Sequence, residues 1–324
     1  MDLTTLRQGL SLTLDKSSLE FLGTKYQGKV RDNYSAPDGR RFIVVTDRIS
    51  AFDRVLGTLP FKGQVLNSLA AWWFEETKNV VPNHVIGIPD PNVMECVECE
   101  PLKVEMIVRA YLTGVSSTAI LTAYKKGVRN FCGNPLPEGL EDHAPLPKPI
   151  LTPTTKAPQG EHDENVSREE IIGRGLITAE HFDAAAAYAM ALFQHGTKVC
   201  AARGLILVDT KYEFGLTKDG RIVVIDEIHT PDSSRFWFTK SYEERRRAGQ
   251  SPESFDKEYL RRWLSEQGYR GDGPIPAIPD EVRLESARRY IEACDTIRGT
   301  AFVPNLEAPT ERLTKNMKTR VQSA

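Results

Sequence analysis

The stretch Lys211-Tyr-Glu-Phe-Gly-Leu-Thr-Lys-Asp-Gly-Arg-Ile-Val-Val-Ile-Asp226 reads as a β-hairpin whose turn can be placed from its residues. Asp219-Gly220 suits a two-residue type I′ turn, in which both central residues take positive φ, and such a turn fixes the register of its strands. Counting outward, Lys218 faces Arg221, Gly215 faces Val224, Phe214 faces Ile225 and Glu213 faces Asp226. Alternation then puts Tyr212, Phe214, Leu216, Val223 and Ile225 on a core face, and Asp209, Lys211, Glu213 and Asp226 on the other. Directly opposed carboxylates, with Cβ atoms about 5 Å apart, repel unless a cation or a proton sits between them. Mg²⁺ is held by one or two carboxylates plus substrate phosphates, so Glu213 and Asp226 are candidate metal ligands, with Lys211 beside them for phosphate oxygens. A solvated hairpin face that tolerates the clash is the other reading.

Composition narrows the classes. A chain of 324 residues has room for two domains, or one large domain with a C-terminal elaboration, and for a core that needs no staples. The formal net charge of −2 argues against a nucleic-acid surface, and Arg245-Arg246-Arg247 is too short a run to change that. No apolar stretch reaches membrane-spanning length, and Met-Asp-Leu-Thr-Thr-Leu-Arg-Gln lacks the pattern of a signal peptide, so a cytoplasmic location is expected. The 5 cysteines do not make a disulfide framework, and Cys96 and Cys99 lack the second pair that a zinc ribbon needs.

Residues 41–46 and 102–110 read as strands, and the amino-terminal third as mostly β. Prolines at 135, 137, 145, 147, 149, 153 and 158 mark residues 130–160 as a long loop without regular structure. The clearest helix covers 179–203, capped by Thr178, stopped by Gly204 and expected to pack under the hairpin sheet. Two more helices fit residues 256–267 and 280–297, and the last two dozen residues read as a surface tail. Trp72, Trp73 and Phe74 read as helix packing. Strands first, then mixed helices and hairpins, argue an α+β fold.

Gly23-Thr-Lys-Tyr-Gln-Gly28-Lys29 has the spacing of a P-loop, but Val30 stands where Ser or Thr would hold Mg²⁺, and the next residues continue as a strand. A glycine-containing hairpin that lays backbone amides and Lys29 or Arg31 over phosphates fits better, beside the alternative of an ordinary hairpin with a basic edge.

Six segments together resemble the phosphoribosylaminoimidazole-succinocarboxamide synthase (SAICAR synthetase) family. They are Gly28-Lys-Val-Arg-Asp-Asn-Tyr34, Thr46-Asp-Arg-Ile-Ser-Ala-Phe-Asp53, Val104-Glu-Met-Ile-Val-Arg109 with Leu112-Thr-Gly-Val-Ser116, Thr152-Pro-Thr-Thr-Lys-Ala-Pro-Gln-Gly-Glu-His-Asp-Glu-Asn165, Val208-Asp-Thr-Lys-Tyr-Glu-Phe-Gly215 and Ile225-Asp-Glu-Ile-His-Thr-Pro-Asp-Ser-Ser-Arg235. Ala110 departs from the glycine more usual in the family.

The resemblance implies an antiparallel β-rich lobe over residues 1–110, and a larger ATP-grasp-like α+β lobe with C-terminal helices over 111–324. It implies a ligase that condenses L-aspartate with carboxyaminoimidazole ribonucleotide (CAIR), cleaving ATP with Mg²⁺ through an acyl phosphate; separately, a monomer is expected. On that likeness Glu213 and Asp226 hold the metal, and Gly28, Lys29 and Arg31 cover phosphates. Lys103 and Glu105 meet adenine and ribose. Arg109, Ser116 and Arg235 form the ribonucleotide site, where a planar guanidinium suits phosphate and carboxylate, with Asp47, Ser50 and Asp53 as further contacts. Lys211 offsets charge at the transferring phosphoryl group, and Asp209 orients it or takes the amine proton. Lys156, His162 and Asp163, near Gly160 as a hinge, read either as a lid or as a surface turn before a helix capped by Ser167 with Glu170. A small-molecule kinase and a catalytically silent nucleotide-binding module remain alternatives.

Overall fold

The computed structural model describes residues 1–52, 54–116, 118–156, 163–255 and 258–323. Two antiparallel sheets organise it. The first contains β1 (Thr24–Gln27), β2 (Arg31–Ser35), β3 (Arg40–Val45), β4 (Val85–Asp90) and β5 (Val93–Val97), in the order β1-β2-β3-β5-β4. Val44 and Val45 are β-branched and buried, as suits a strand covered on its faces. The second is seven-stranded: β6 (Val104–Tyr111), β7 (Pro145–Leu151), β8 (Leu205–Leu216), β9 (Ile222–Ile225) and β10 (Ser234–Phe238), with two short strands, run β7-β6-β8-β9 and pair β10 with β8. β6 therefore belongs to the second sheet and runs across residue 110.

The helices are α1 (Lys62–Glu76), α2 (Ala179–Ala202), α3 (Asp280–Arg298) and α4 (Pro309–Gln322), with shorter ones between. α2 begins where Thr178 accepts a hydrogen bond from His181 N and ends before Gly204, at φ 71. Its Phe182, Ala185, Ala189 and Phe193 join Tyr212, Phe214 and Val224 in the main core, so the helix packs under the hairpin as expected. Trp73 is fully buried in the same core. Ser167 and Glu170 form the expected capping box.

The hairpin register differs from the sequence count. Glu213 pairs with Ile225, Phe214 with Val224 and Gly215 with Val223, one residue away from the expected pairing. The connection has three residues, 218–220, and only Gly220, at φ 79, takes positive φ. Thr217 selects this turn: its backbone N–H donates to Arg221 O at 3.0 Å and its Oγ1 accepts from Arg221 N at 3.1 Å. A one-residue slip exchanges faces. Val223 and Ile225 thus join Cys99 in a small separate cluster, and Val224 enters the main core instead.

Two other expectations change. The proline-rich stretch contains β7, an edge strand whose Leu146 and Ile150 are buried while Pro145, Pro147 and Pro149 face outward, where missing N–H groups cost no ladder bonds. The final segment is α4, not a surface tail. Leu313 and Met317 pack with Tyr34, Phe42, Val44 and Val93, and the buried Arg312 pairs with Asp90 at 3.1 Å. α3 packs along α1, so the C-terminal helices return to the first sheet instead of extending the second lobe.

Candidate active site

β1 and β2 form the expected glycine hairpin, with Gly28 N donating to Arg31 O at 2.8 Å. Its shape is held by Arg48, a buried residue from the Thr46–Asp53 block to which sequence reasoning gave no role. Arg48 donates to Lys29 O at 2.9 Å, to Gly28 O at 3.1 Å and to Asp32 at 2.8 Å.

Under this hairpin lies a cleft of about 520 Å³, whose lining includes Gly28, Lys29, Arg31, Lys156, Glu213 and Asp226. Cleft volumes of this order suit a small-molecule ligand. The two acids share the cleft although they are not opposed across the hairpin. Asp226 follows the last residue of β9 at φ 70, and this left-handed step, which aspartate tolerates, breaks strand alternation there. Arg31 bridges the two lobes by pairing with Asp226 and, at 2.5 Å, with Glu227. Glu227 also accepts from Thr230 Oγ1 at 2.7 Å, which accounts for its burial.

Glu213 faces two ammonium groups: Lys156, and Lys211 at 2.6 Å. Burial alone would favour its neutral form, but Lys211 and Lys156 outweigh it and hold the carboxyl well below the usual carboxylate range. Lys211 also donates to Glu105 at 2.8 Å, and these two acids outweigh burial to hold its ammonium above the ordinary lysine value. Glu105 moves oppositely: burial raises it and Glu213 adds to the rise, against the pull of Lys211. Glu105 is thus a partner of Lys211. Lys103 lines a separate cavity of about 440 Å³ on the far side of Pro101.

A second cluster lies along the same strand. Register sets Asp209 on β8 between Arg109 on β6 and Arg235 on β10, and its Oδ2 lies 3.6 Å and 3.3 Å from their guanidinium nitrogens. Arg109 is fixed by Thr152 at 2.8 Å and Thr118 O at 3.3 Å. Asp209 Oδ2 and Arg235 Nη1 are buried without a hydrogen bond, so the cluster retains capacity for a polar ligand. Gly114 permits the approach: it has φ 99, and a Cβ there would lie 3.0 Å from Arg235 Nη1. Ser116 is exposed on the same loop.

The remaining expected residues divide. Asp47 is only 3 % exposed, and its two oxygens accept Leu14 N and Gly63 N, each at 2.7 Å. It therefore caps the start of α1 from a distance and does not line the cleft. Burial raises its pKa to about 6 against those hydrogen bonds. Ser50 sits partly buried in a separate two-stranded hairpin, Arg48–Ala51 with Arg54–Thr58. Asp163 is exposed and electrostatically coupled to Glu105. Asp53, His162 and the Gly160 hinge lie outside the described residues.

The family model described as SAICAR synthetase matches residues 24–275. A phosphoribosylaminoimidazole-succinocarboxamide synthase of Legionella pneumophila is 49% identical over 292 residues, 90% of this chain and 92% of that protein. The chloroplastic enzyme of that name from Arabidopsis thaliana is 45% identical, over 99% of this chain and 79% of that protein. A solved SAICAR synthase from Saccharomyces cerevisiae, complexed with SAICAR, superposes with a TM-score of 0.77 at 30% identity, covering 90% of this chain and all of that one. The cleft, the paired acids and the arginine cluster therefore sit in a chain that belongs to the SAICAR synthetase family.

Proposed function

We propose that this chain joins L-aspartate to the carboxylate of CAIR, with ATP cleaved to ADP and phosphate. Family membership supports the reaction, and the course of β8 supports how it is done. Asp209, Lys211 and Glu213 alternate along one face of this strand, so Lys211 stands about 7 Å from each neighbour and between the two binding regions. Nucleotide phosphates beside Glu213 and a carboxylate beside Arg109 and Arg235 would meet at Lys211.

The donor set fits a magnesium ion that arrives with nucleotide. Glu213 and Asp226 offer hard oxygens in one cleft, and no cluster of three or more acid, His or Cys side chains forms a ready-made cage among the described residues. When bound, Mg²⁺ would neutralise charge on the transferring phosphoryl oxygens. Arg31 and Lys156, now paired with the two acids, are positioned to transfer their charge to phosphates.

A carboxylate is a poor electrophile, so a CAIR carboxylate oxygen attacks the γ-phosphorus and ADP leaves. The aspartate amine then attacks the resulting acyl phosphate, releasing phosphate and a proton as the amide forms. Lys211 compensates charge in the first step, and Asp209 orients Arg109 and Arg235. No described helix is long and apolar enough to cross a membrane.

ADP release and product formation, measured with all combinations of the three substrates, test this directly. We expect amide product only with all three. ADP release with the imidazole carboxylate that aspartate leaves unchanged would indicate a kinase, and Mg-ATP binding without turnover a silent module.

A further inference from the structure

Residues 226–233 join β9 to β10, with Asp226 at their start and Arg235 just inside β10, so the path of this segment sets the spacing of the two binding regions. Near its middle Asp232 has a side chain 5 % exposed, held from two sides. The fully buried Lys62, first residue of α1, reaches Asp232 Oδ2 at 2.8 Å. Tyr290 of α3 donates its hydroxyl to Asp232 Oδ1 at 2.6 Å, and the Lys62 ammonium lies 5.4 Å from the Tyr290 ring centroid. On its other side the segment is tied to β8: Lys211 N donates to Ser233 O at 2.9 Å, and Thr210 Oγ1 meets Ser234 Oγ at 2.6 Å. A continuous set of bonds thus runs from α3 to the backbone of Lys211 and on to Arg235.

Tyr290 lies beyond residue 275, where the family-matched region ends. We propose that Asp232 is a positioning residue, clamped by Lys62 and Tyr290, through which helix α3 holds Asp226 and Arg235 at their working separation without touching substrate. This rests on the functional reading above. A lysine and a carboxylate so deeply buried are retained only with good partners, and such partners are worth most where a small displacement of reacting groups is costly. A shift of about 1 Å can reduce rate by as much as two orders of magnitude.

Tyr290→Phe removes the clamping hydroxyl and keeps the ring over Lys62. At a temperature where circular dichroism shows the variant fully folded, we expect kcat to fall about tenfold, and the Mg²⁺ concentration for half-maximal rate to rise severalfold, because the segment that carries Asp226 shifts. Asp232→Asn should do the same more strongly. A purely structural clamp would lower the melting temperature and leave kcat, KM and Mg²⁺ dependence per folded molecule unchanged. Folded Tyr290→Phe within twofold of the parent in all three overturns the proposal, whether or not Asp232→Asn folds. If the parent itself shows no turnover, the functional reading fails separately. The clamp is then judged by calorimetric affinity for Mg-ADP, expected to weaken severalfold in Tyr290→Phe and contradicted by equal affinity.

Discussion

Asp226 leaves its strand at φ 70 and there meets one arm of the Arg31 guanidinium, while Glu227 takes the other. Two adjacent acids thus hold the glycine hairpin over the cleft from below. Glu213, by contrast, lies between Lys211 and Lys156. Its removal therefore loses more attraction to Lys211 and Lys156 than the repulsion from Glu105 that it relieves, contrary to what opposed carboxylates would suggest. Glu213→Ala leaves two lysines short of a partner and should lower unfolding free energy by about 1–3 kcal/mol in urea titrations while abolishing turnover. Gly114 gives a second test at this scale. Gly114→Ala places a methyl 2.8 Å from Ala119 Cβ and 3.0 Å from Arg235 Nη1 at φ 99, so the loop and Arg235 must shift and KM for the ribonucleotide should rise about tenfold or more with the protein still folded. The acids, the lysines and the arginines were legible as residue types in quoted blocks. The left-handed step at Asp226 and the inward turn of Asp47 were not, because both depend on partners distant in sequence, Arg31 for one and Leu14 and Gly63 for the other.

Elements that follow local rules were read closely. α2 has its cap, its alanines and its stopping glycine within one segment, and β6 its alternating apolar residues. The hairpin failed by one residue because Asp-Gly serves two turn types, and the side chain of Thr217 decides between them. β7 is masked by its prolines, yet Pro145, Pro147 and Pro149 alternate with the buried Leu146 and Ile150 and all three are exposed. α4 was hidden because its inward face includes an arginine. Leu313 and Met317 are its only buried apolar side chains, while Arg312 is 2 % exposed and bound to Asp90. Arg312→Ala leaves that buried carboxylate unpaired, so stability should fall by about 3–5 kcal/mol in denaturant unfolding. A loss below about 1 kcal/mol would mean that α4 is peripheral.

At the scale of the whole molecule, buried histidines set the response to acid. Burial pushes His84 and His229 down to about 3 from an ordinary 6.5. The unfolded chain therefore binds more protons than the folded one between those limits, and stability rises with pH across that window and is lost as pH falls through it. Asp47, raised to about 6, acts oppositely between about 4 and 6 and offsets roughly one histidine. Urea unfolding from pH 6.5 to 4.5 should show stability falling with acid, and His229→Gln should remove about one proton from that slope. The same architecture brings a basic hairpin from one sheet over two acids from the other, and the C-terminal helices brace both. The claim beneath this account is that Glu213 and Asp226 together hold the metal of a nucleotide. Calorimetric titration of ADP with and without Mg²⁺, into the parent, Glu213→Gln and Asp226→Asn, examines it most directly. The parent should bind ADP at least tenfold more tightly with Mg²⁺, and each variant should lose most of that gain while still binding metal-free ADP. Variants that keep the full magnesium-dependent gain would contradict the account.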